Sequence, residues 1–199
     1  MNELDNIFFT SDTHFGHKNI IKYCDRPFKD TDHMDEAIIE RWNETVPEDG
    51  LVFLLGDIAL GEIAKSLPKV GRLNGFKVAV IGNHDRLFST YKEAHRKKFE
   101  PEYAKVFDAV VGEEGTTRSI NGVEFRLSHF PYTGDHTPED RHSDVRPVDD
   151  GMPLIHGHTH TTDKVTYSEK GTMQIHVGQD AWDFRPVSAR QILEEMELY

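Results

Sequence analysis

The chain has 199 residues, 23 of them Lys or Arg and 35 Asp or Glu, for a formal charge of -12, and one cysteine, Cys24. This length fits one domain, 1–199, with a core of its own; the charge excludes a general attraction to long nucleic acids, and the lone cysteine excludes an internal disulfide. The opening MNELDN lacks the basic start and apolar middle of a secretory signal, and no apolar run approaches the roughly 20 residues that span a bilayer. The expectation is a cytoplasmic protein with no membrane segment, in which Cys24 is a packing residue.

Along the chain, a strand is expected at residues 7–10, then a turn at Gly16 and a short helical stretch at 19–23. Residues 31–46 read as a helix, because Met34, Ala37, Ile38, Trp42 and Val46 keep helical spacing. A strand follows at 51–55, then a helix from about Glu62 that is broken near Pro68, then a strand at 78–81. Residues 89–99 read as a basic helix, with Lys92, Arg96, Lys97 and Lys98 on its solvated side. The second half is richer in strands, at 107–111, 123–127, 154–156, 164–167 and 173–177. A last helix starts at Ser188, which stands at capping-box spacing from Gln191. Strands alternate with helices early and cluster late, which suggests an α/β fold of two sheets packed face to face with helices outside. Residues 132–151 are nearly all polar, and a loop of that length inside a compact domain is usually functional or disordered.

Five of these apolar runs end in residues able to bind a metal: IFFTSDTH, LVFLLGD, VAVIGNHD, VEFRLSH and PLIHGHTH. In open α/β sheets ligands gather beyond the carboxyl ends of the strands, so Asp12, His14, Asp57, Asn83, His84, His129, His158 and His160 can converge on one spot. The spacing Asp12-x-His14 and His158-x-His160 would put each pair on one face of extended chain. Gly56, Gly82 and Gly157 precede candidate ligands and let the backbone turn sharply beside an ion. Two carboxylates, an amide and several imidazoles suit manganese, iron, zinc or nickel and fit calcium poorly. They are too many for one tetrahedral zinc, whereas two divalent ions sharing a carboxylate would use them all. Two such ions with Asp12, Asp57 and a bridging hydroxide leave a net charge of about +1, which attracts an anion.

The ordered set Asp12-x-His14, Gly56-Asp57, Gly82-Asn83-His84-Asp85, His129 and Gly157-His158-x-His160 resembles the calcineurin-like metallophosphoesterases, over about three quarters of the chain. The resemblance implies a four-layer αββα sandwich of two mixed sheets flanked by helices. It also implies one metal on Asp12, His14, Asp57 and His160, a second on Asp57, Asn83, His129 and His158, and Asp57 as the bridge. A hydroxide between the metals would attack phosphorus, Asn83 would help stabilise the phosphoryl oxygens, and His84, oriented by Asp85, would give a proton to the leaving oxygen. The sequence departs from the phosphoprotein phosphatases, since Gly56-Asp57 runs on through Ile58, Ala59 and Leu60 rather than Asp-Arg-Gly. It also has no room for the capping domain of the DNA-repair nucleases. The small uncapped subgroup fits best, although His176 stands where asparagine is expected.

The expected activity is hydrolysis of a small phosphodiester such as a cyclic nucleotide, with no partner membrane and the oligomeric state left open. A phosphomonoesterase, a nuclease acting on nucleic-acid ends, with nucleic acid only as a short substrate, and a binding scaffold without chemistry are the alternatives. His17, in the loop of His14, and His136, Arg141, His142 and Arg146, in the long polar loop, are the candidate substrate contacts.

Overall fold

The computed structural model describes residues 3–135, 137 and 139–197. In chain order its strands are β1 (Ile7–Thr10), β2 (Leu51–Leu55), β3 (Phe76–Val80), β4 (Ala109–Val111) and β5 (Thr116–Ile120). They continue with β6 (Val123–Leu127), β7 (Leu154–His156), β8 (Val165–Tyr167), β9 (Met173–His176) and β10 (Val187–Ser188). The helices are α1 (Ile20–Tyr23), α2 (Thr31–Thr45), α3 (Ile63–Ser66), α4 (Glu93–Tyr103) and α5 (Ala189–Glu195).

The strands form two mixed sheets of order β10-β1-β2-β3-β4 and β5-β6-β7-β9-β8, so the expected fold class holds. Strands β1 to β4 are parallel to their neighbours, as are β6, β7 and β9, while β10, β5 and β8 run antiparallel at the edges. Alternation along each strand explains the layers. Phe9, Phe53, Leu55 and Val80 face Phe125, Leu127, Ile155 and Ile175 in one core between the sheets. The opposite faces of β1 to β3, with Phe8, Val52, Leu54 and Ala79, pack under Met34, Ile38 and Trp42 of α2 in a second core. Burial on both faces is why these strands read as unbroken apolar runs.

Local chemistry sets the ends of the helices. Asp30 caps α2 by accepting from the His33 N–H at 2.8 Å. The helix stops at Thr45, one residue earlier than expected, because Val46 precedes Pro47 and takes an extended conformation (φ -100, ψ 120). Ser188 and Gln191 make the expected capping box at α5. Helix α4 begins at Glu93 rather than 89, since two tight turns, Phe88 N–H to Asp85 O and Tyr91 N–H to Phe88 O, occupy the preceding residues. The strand β5 was not expected. It pairs with β6 through Asn121 and Gly122, both at positive φ (51 and 82), the two-residue hairpin that an Asn-Gly pair specifies. That pair was the available signal.

The 132–151 segment, expected to sit over the site, also lies across the second sheet. Arg126 and Gln174 point away from the core between the sheets, and the segment bonds both: Gln174 Oε1 accepts from the Tyr132 N–H at 2.6 Å, and Arg126 pairs with Asp150 at 2.7 Å. Among the described residues no helix is long and apolar enough to cross a membrane.

Candidate active site

The carboxyl ends of β1, β2 and β3 in the first sheet meet those of β6 and β7 in the second. Backbone hydrogen bonds lock the ends of β1 and β2 together: Asp12 N–H to Gly56 O at 3.1 Å and His14 N–H to Asp57 O at 3.0 Å. The two sheets are tied at the same place, where the His158 N–H donates to Asp12 Oδ2 at 3.0 Å. Close approach requires glycine at two points. A Cβ on Gly82 would stand 2.5 Å from Asp57 Oδ1, and one on Gly157 would stand 2.6 Å from Asp12 Oδ2.

The expected alternation of extended chain is not what gathers the pairs. Asp12, His14, Asp57, His158 and His160 all have positive φ, between 50 and 70. Strand β1 ends at Thr10, and left-handed residues then turn both side chains inward. Such backbone is costly for non-glycine residues and persists where the surroundings enforce it, which marks this cluster as functional.

Asp12, His14, Asn83, His129 and His160 gather around Asp57, and the His158 ring lies beside that of His129, centroids 5.2 Å apart. Asp57 Oδ2 lies 3.6 Å from His14 Nε2 and 3.9 Å from His84 Nε2, and its Oδ1 lies 3.5 Å from His129 Nε2. His160 Nε2 stands 3.3 Å from His14 Nε2 and 3.8 Å from Asp12 Oδ1. Asn83 Oδ1 is 3.1 Å from His129 Nε2.

The donor set fits metal ions on its own chemistry. Asp12 Oδ1 is buried without a hydrogen-bond partner. His129 Nδ1 lies 2.8 Å from the Leu55 carbonyl, which can only accept, so Nε2 turns its lone pair toward the Asn83 oxygen. His160 Nδ1 likewise faces Asp180 Oδ2 at 3.0 Å and aims Nε2 at His14. The facing acceptors of His129 and Asn83, and the unpartnered Asp12 oxygen, call for a cation beside them. The ligand atoms of Asp12, His14 and His160 form one cluster suited to an ion, and those of Asp12, Asp57 and His129 another.

Burial shapes the protonation of the cluster. It raises the pKa of Asp12, with the neighbouring Asp57 charge adding to the effect, although His160 and His129 oppose it. Asp57 is held below the ordinary value in spite of burial, by His129, His84 and the His84 N–H. One carboxyl up and one down is the expected split of a like-charged pair. Burial also depresses His14 well below its ordinary value and His158 to about 2, so both are neutral and able to bind metal.

Residues outside the expected ligand set support the cluster. Asp135 accepts from His158 Nε2 at 3.2 Å and is itself gripped by Arg141 at 2.9 Å and Arg146 at 3.3 Å. Asp180 orients His160 and is held in turn by Arg26, whose Nη2 also donates to the Asp12 carbonyl at 2.9 Å. Cys24, expected only to pack, has its sulfur within 4.8 Å of ligand atoms of His160 and Asp180. A carboxylate behind each histidine is a pattern that sequence reasoning can look for, though the spacing of Asp135 and Asp180 from their partners is set by the fold.

Two expected roles meet a different geometry. Asp85 does not orient the His84 ring: its buried carboxylate accepts from the N–H groups of Asp57, Ile58 and Gly82 and from the Tyr103 hydroxyl. Burial, reinforced by Asp57, pushes its pKa up to about 7. Asp85 therefore fixes the backbone under the site. Arg146, expected at the substrate, is 5% exposed and donates to the Arg141 and Gly134 carbonyls, so it builds the loop. His136 lies outside the described residues. His142 packs its ring on Phe130 and His158, with centroids 5.3 and 5.7 Å away.

A cavity of about 670 Å³ opens onto this cluster, lined among others by His14, His17, His84, Asp135, Arg141 and His160. His17 lies 3.3 Å from His14, Nδ1 to Nδ1, and its pKa is lowered to about 4 by burial and by His84.

Comparison with known proteins shows the family. The calcineurin-like phosphoesterase superfamily domain matches residues 6–187, and the chain belongs to that superfamily. It is 36% identical to the Gene 66 protein of Mycobacterium phage D29, over 98% of each chain. It is also 30% identical to protein MJ1445 of Methanocaldococcus jannaschii, over 96% of this chain and 91% of that one. Among solved structures, protein AQ665 of Aquifex aeolicus superposes with a TM-score of 0.70 at 26% identity, covering 95% of this chain and 98% of that one.

Proposed function

We propose that the protein is a dinuclear metal-dependent phosphoesterase that hydrolyses a small phosphodiester, such as a cyclic nucleotide, in the cytoplasm. The observation that carries this reading is the position of Asp57, whose two oxygens face the His14 and His129 imidazoles from opposite sides at 3.6 and 3.5 Å. Asp12, His14, Asp57 and His160 would hold one ion, and Asp57, Asn83, His129 and His158 the other. Manganese, iron, zinc and nickel suit these donors. When bound, the ions supply positive charge at the phosphoryl oxygens and make a nearby water more acidic.

The protein's own groups do the rest. His84 stands at the open edge of the cluster, 46% exposed, with Nε2 directed toward Asp57 at 3.9 Å. From there it gives a proton to the departing oxygen and recovers one from solvent. Asp85 keeps the Asp57 and Gly82 backbone in place while this happens. Asp135 and Asp180 hold the rings of His158 and His160. Arg141 and His17 line the cavity where the substrate's remaining groups would lie.

A diester is favoured by charge. Arg141 is the one Lys or Arg lining the cavity, and Asp135 already engages it at 2.9 Å. Little extra positive charge remains for the second negative charge of a monoester. The cavity volume suits a mononucleotide-sized molecule rather than a folded polymer.

The test compares a p-nitrophenyl diester, the corresponding monoester, cyclic nucleotides and single-stranded oligonucleotides with manganese supplied. The reading requires the diester or a cyclic nucleotide to exceed the monoester by at least about tenfold in kcat/KM, with a chelator abolishing turnover. Preference for the monoester, or chelator-resistant hydrolysis, contradicts it.

A further inference from the structure

A second cavity, of about 540 Å³, lies away from the metal cluster between α3 with its following turn, Leu67–Arg72, and α4. Its walls are apolar: Ile63, Ala64, Leu67, Pro68, Phe99 and Val106. The cavity at the active site reaches Leu60, whereas this one begins at Gly61, so the two are neighbours separated by a stretch of backbone. Volume and lining match those of small-molecule sites.

At its polar end sits Arg86, two residues beyond His84. The guanidinium donates from Nη1 to the Tyr91 hydroxyl at 3.0 Å and lies 5.7 Å from that ring's centre. Its Nε is buried without a hydrogen-bond partner. Among the described residues no carboxylate lies within ion-pair distance of Arg86, in a chain whose acidic residues outnumber the basic ones by 35 to 23. Lys98 adds a second cation at the rim, its Nζ 5.7 Å from the Phe99 ring centre. The one acid lining the cavity, Glu102, is committed to Lys105 at 2.8 Å. A buried guanidinium nitrogen without a partner is costly unless something fills that position.

We infer that this cavity binds an amphipathic anion, with an alkyl or aromatic group against Leu67, Phe99 and Val106 and a carboxylate, sulfonate or phosphate on Arg86. A planar guanidinium beside an apolar wall recognises that combination, two parallel hydrogen bonds at one end and desolvation at the other. The site does not depend on the phosphoesterase reading, since none of its residues belongs to the metal cluster.

The test titrates the metal-loaded protein with decane-1-sulfonate, a poor metal ligand, by calorimetry and by amide chemical-shift mapping. The inference requires one saturable site whose shifts centre on Ala64, Arg86 and Phe99. Arg86→Gln should weaken binding at least about tenfold. Ala64→Trp, which fills the cavity from an exposed position, should abolish binding while the near-ultraviolet circular dichroism still reports a folded core. Decanol, with the same tail and no charge, should bind at least about tenfold more weakly than the sulfonate. No saturable binding, shifts centred on His84 and His160 instead, or equal affinity of the Arg86→Gln variant and its parent would overturn it.

Discussion

The two sheets contribute to the active site in different ways. The first supplies charge from deep, fixed positions: Asp12 and Asp57 are 0% and 1% exposed, on strand ends joined by backbone hydrogen bonds and underpinned by Asp85. The second supplies imidazoles, two of which, His158 and His160, are oriented by acids from elsewhere, Asp135 in the 132–151 segment and Asp180 in the turn Gln179–Ala181. On the proposed reading the first sheet would decide whether ions are held, and the second how they are steered. Substitutions on the two sides should differ accordingly.

The largest effect belongs to the shared carboxylate. Asp57→Asn keeps the shape and removes the charge, and should lower kcat/KM by about 10⁴ or more while reducing bound metal, measured by elemental analysis beside steady-state kinetics. His84→Gln should cost about 10²- to 10⁴-fold in kcat with metal content unchanged, since on the proposed reading His84 would carry a proton rather than an ion. Metal loss in that variant would move His84 into the ligand set.

On the second side, Asp135→Asn should weaken metal affinity or activity by about 10- to 100-fold, because His158 loses its carboxylate support. Equal affinity in that variant and the parent would break the contrast between the sheets. Tyr103→Phe removes a hydrogen bond to the buried Asp85 and should cost about 1–3 kcal/mol of stability in denaturant titrations.

The smallest effect concerns His176, which is buried with both ring nitrogens unpartnered and its ring tilted by 41° against that of His156, centroids 5.5 Å apart. Burial and then His156 hold its pKa well below the ordinary 6.5. The unfolded chain therefore binds a proton near pH 6.5 that the folded chain refuses, and stability falls as pH drops below that value, by about 1.4 kcal/mol per pH unit for one proton. His176→Asn should flatten this decline when unfolding is compared at pH 7 and pH 5.

Much of this contrast was legible in the sequence, and unequally. Motif residues ending apolar runs, such as Leu51–Leu55 before Gly56 and Asp57, could be placed because parallel strands buried on both faces leave continuous apolar stretches. The roles of Asp135 and Asp180 could not, since their partners His158 and His160 lie 23 and 20 residues away and only tertiary folding brings them together. Asp85 shows the converse: its place beside His84 in the chain suggested a role on that ring, while its side chain turns under the loop to the backbone of Asp57 and Gly82. Left-handed backbone at five ligand positions was equally invisible, because Asp and His adopt it only under tertiary constraint. The hairpin at Asn121 and Gly122, by contrast, was written in the sequence.

The central claim is the shared position of Asp57, and anomalous scattering from crystals of the manganese-loaded protein tests it most directly. The account predicts two peaks about 3.5–4 Å apart with the Asp57 carboxylate between them, one flanked by His14 and His160 and the other by His129 and His158. A single peak, or two that leave Asp57 bound to neither, would contradict it.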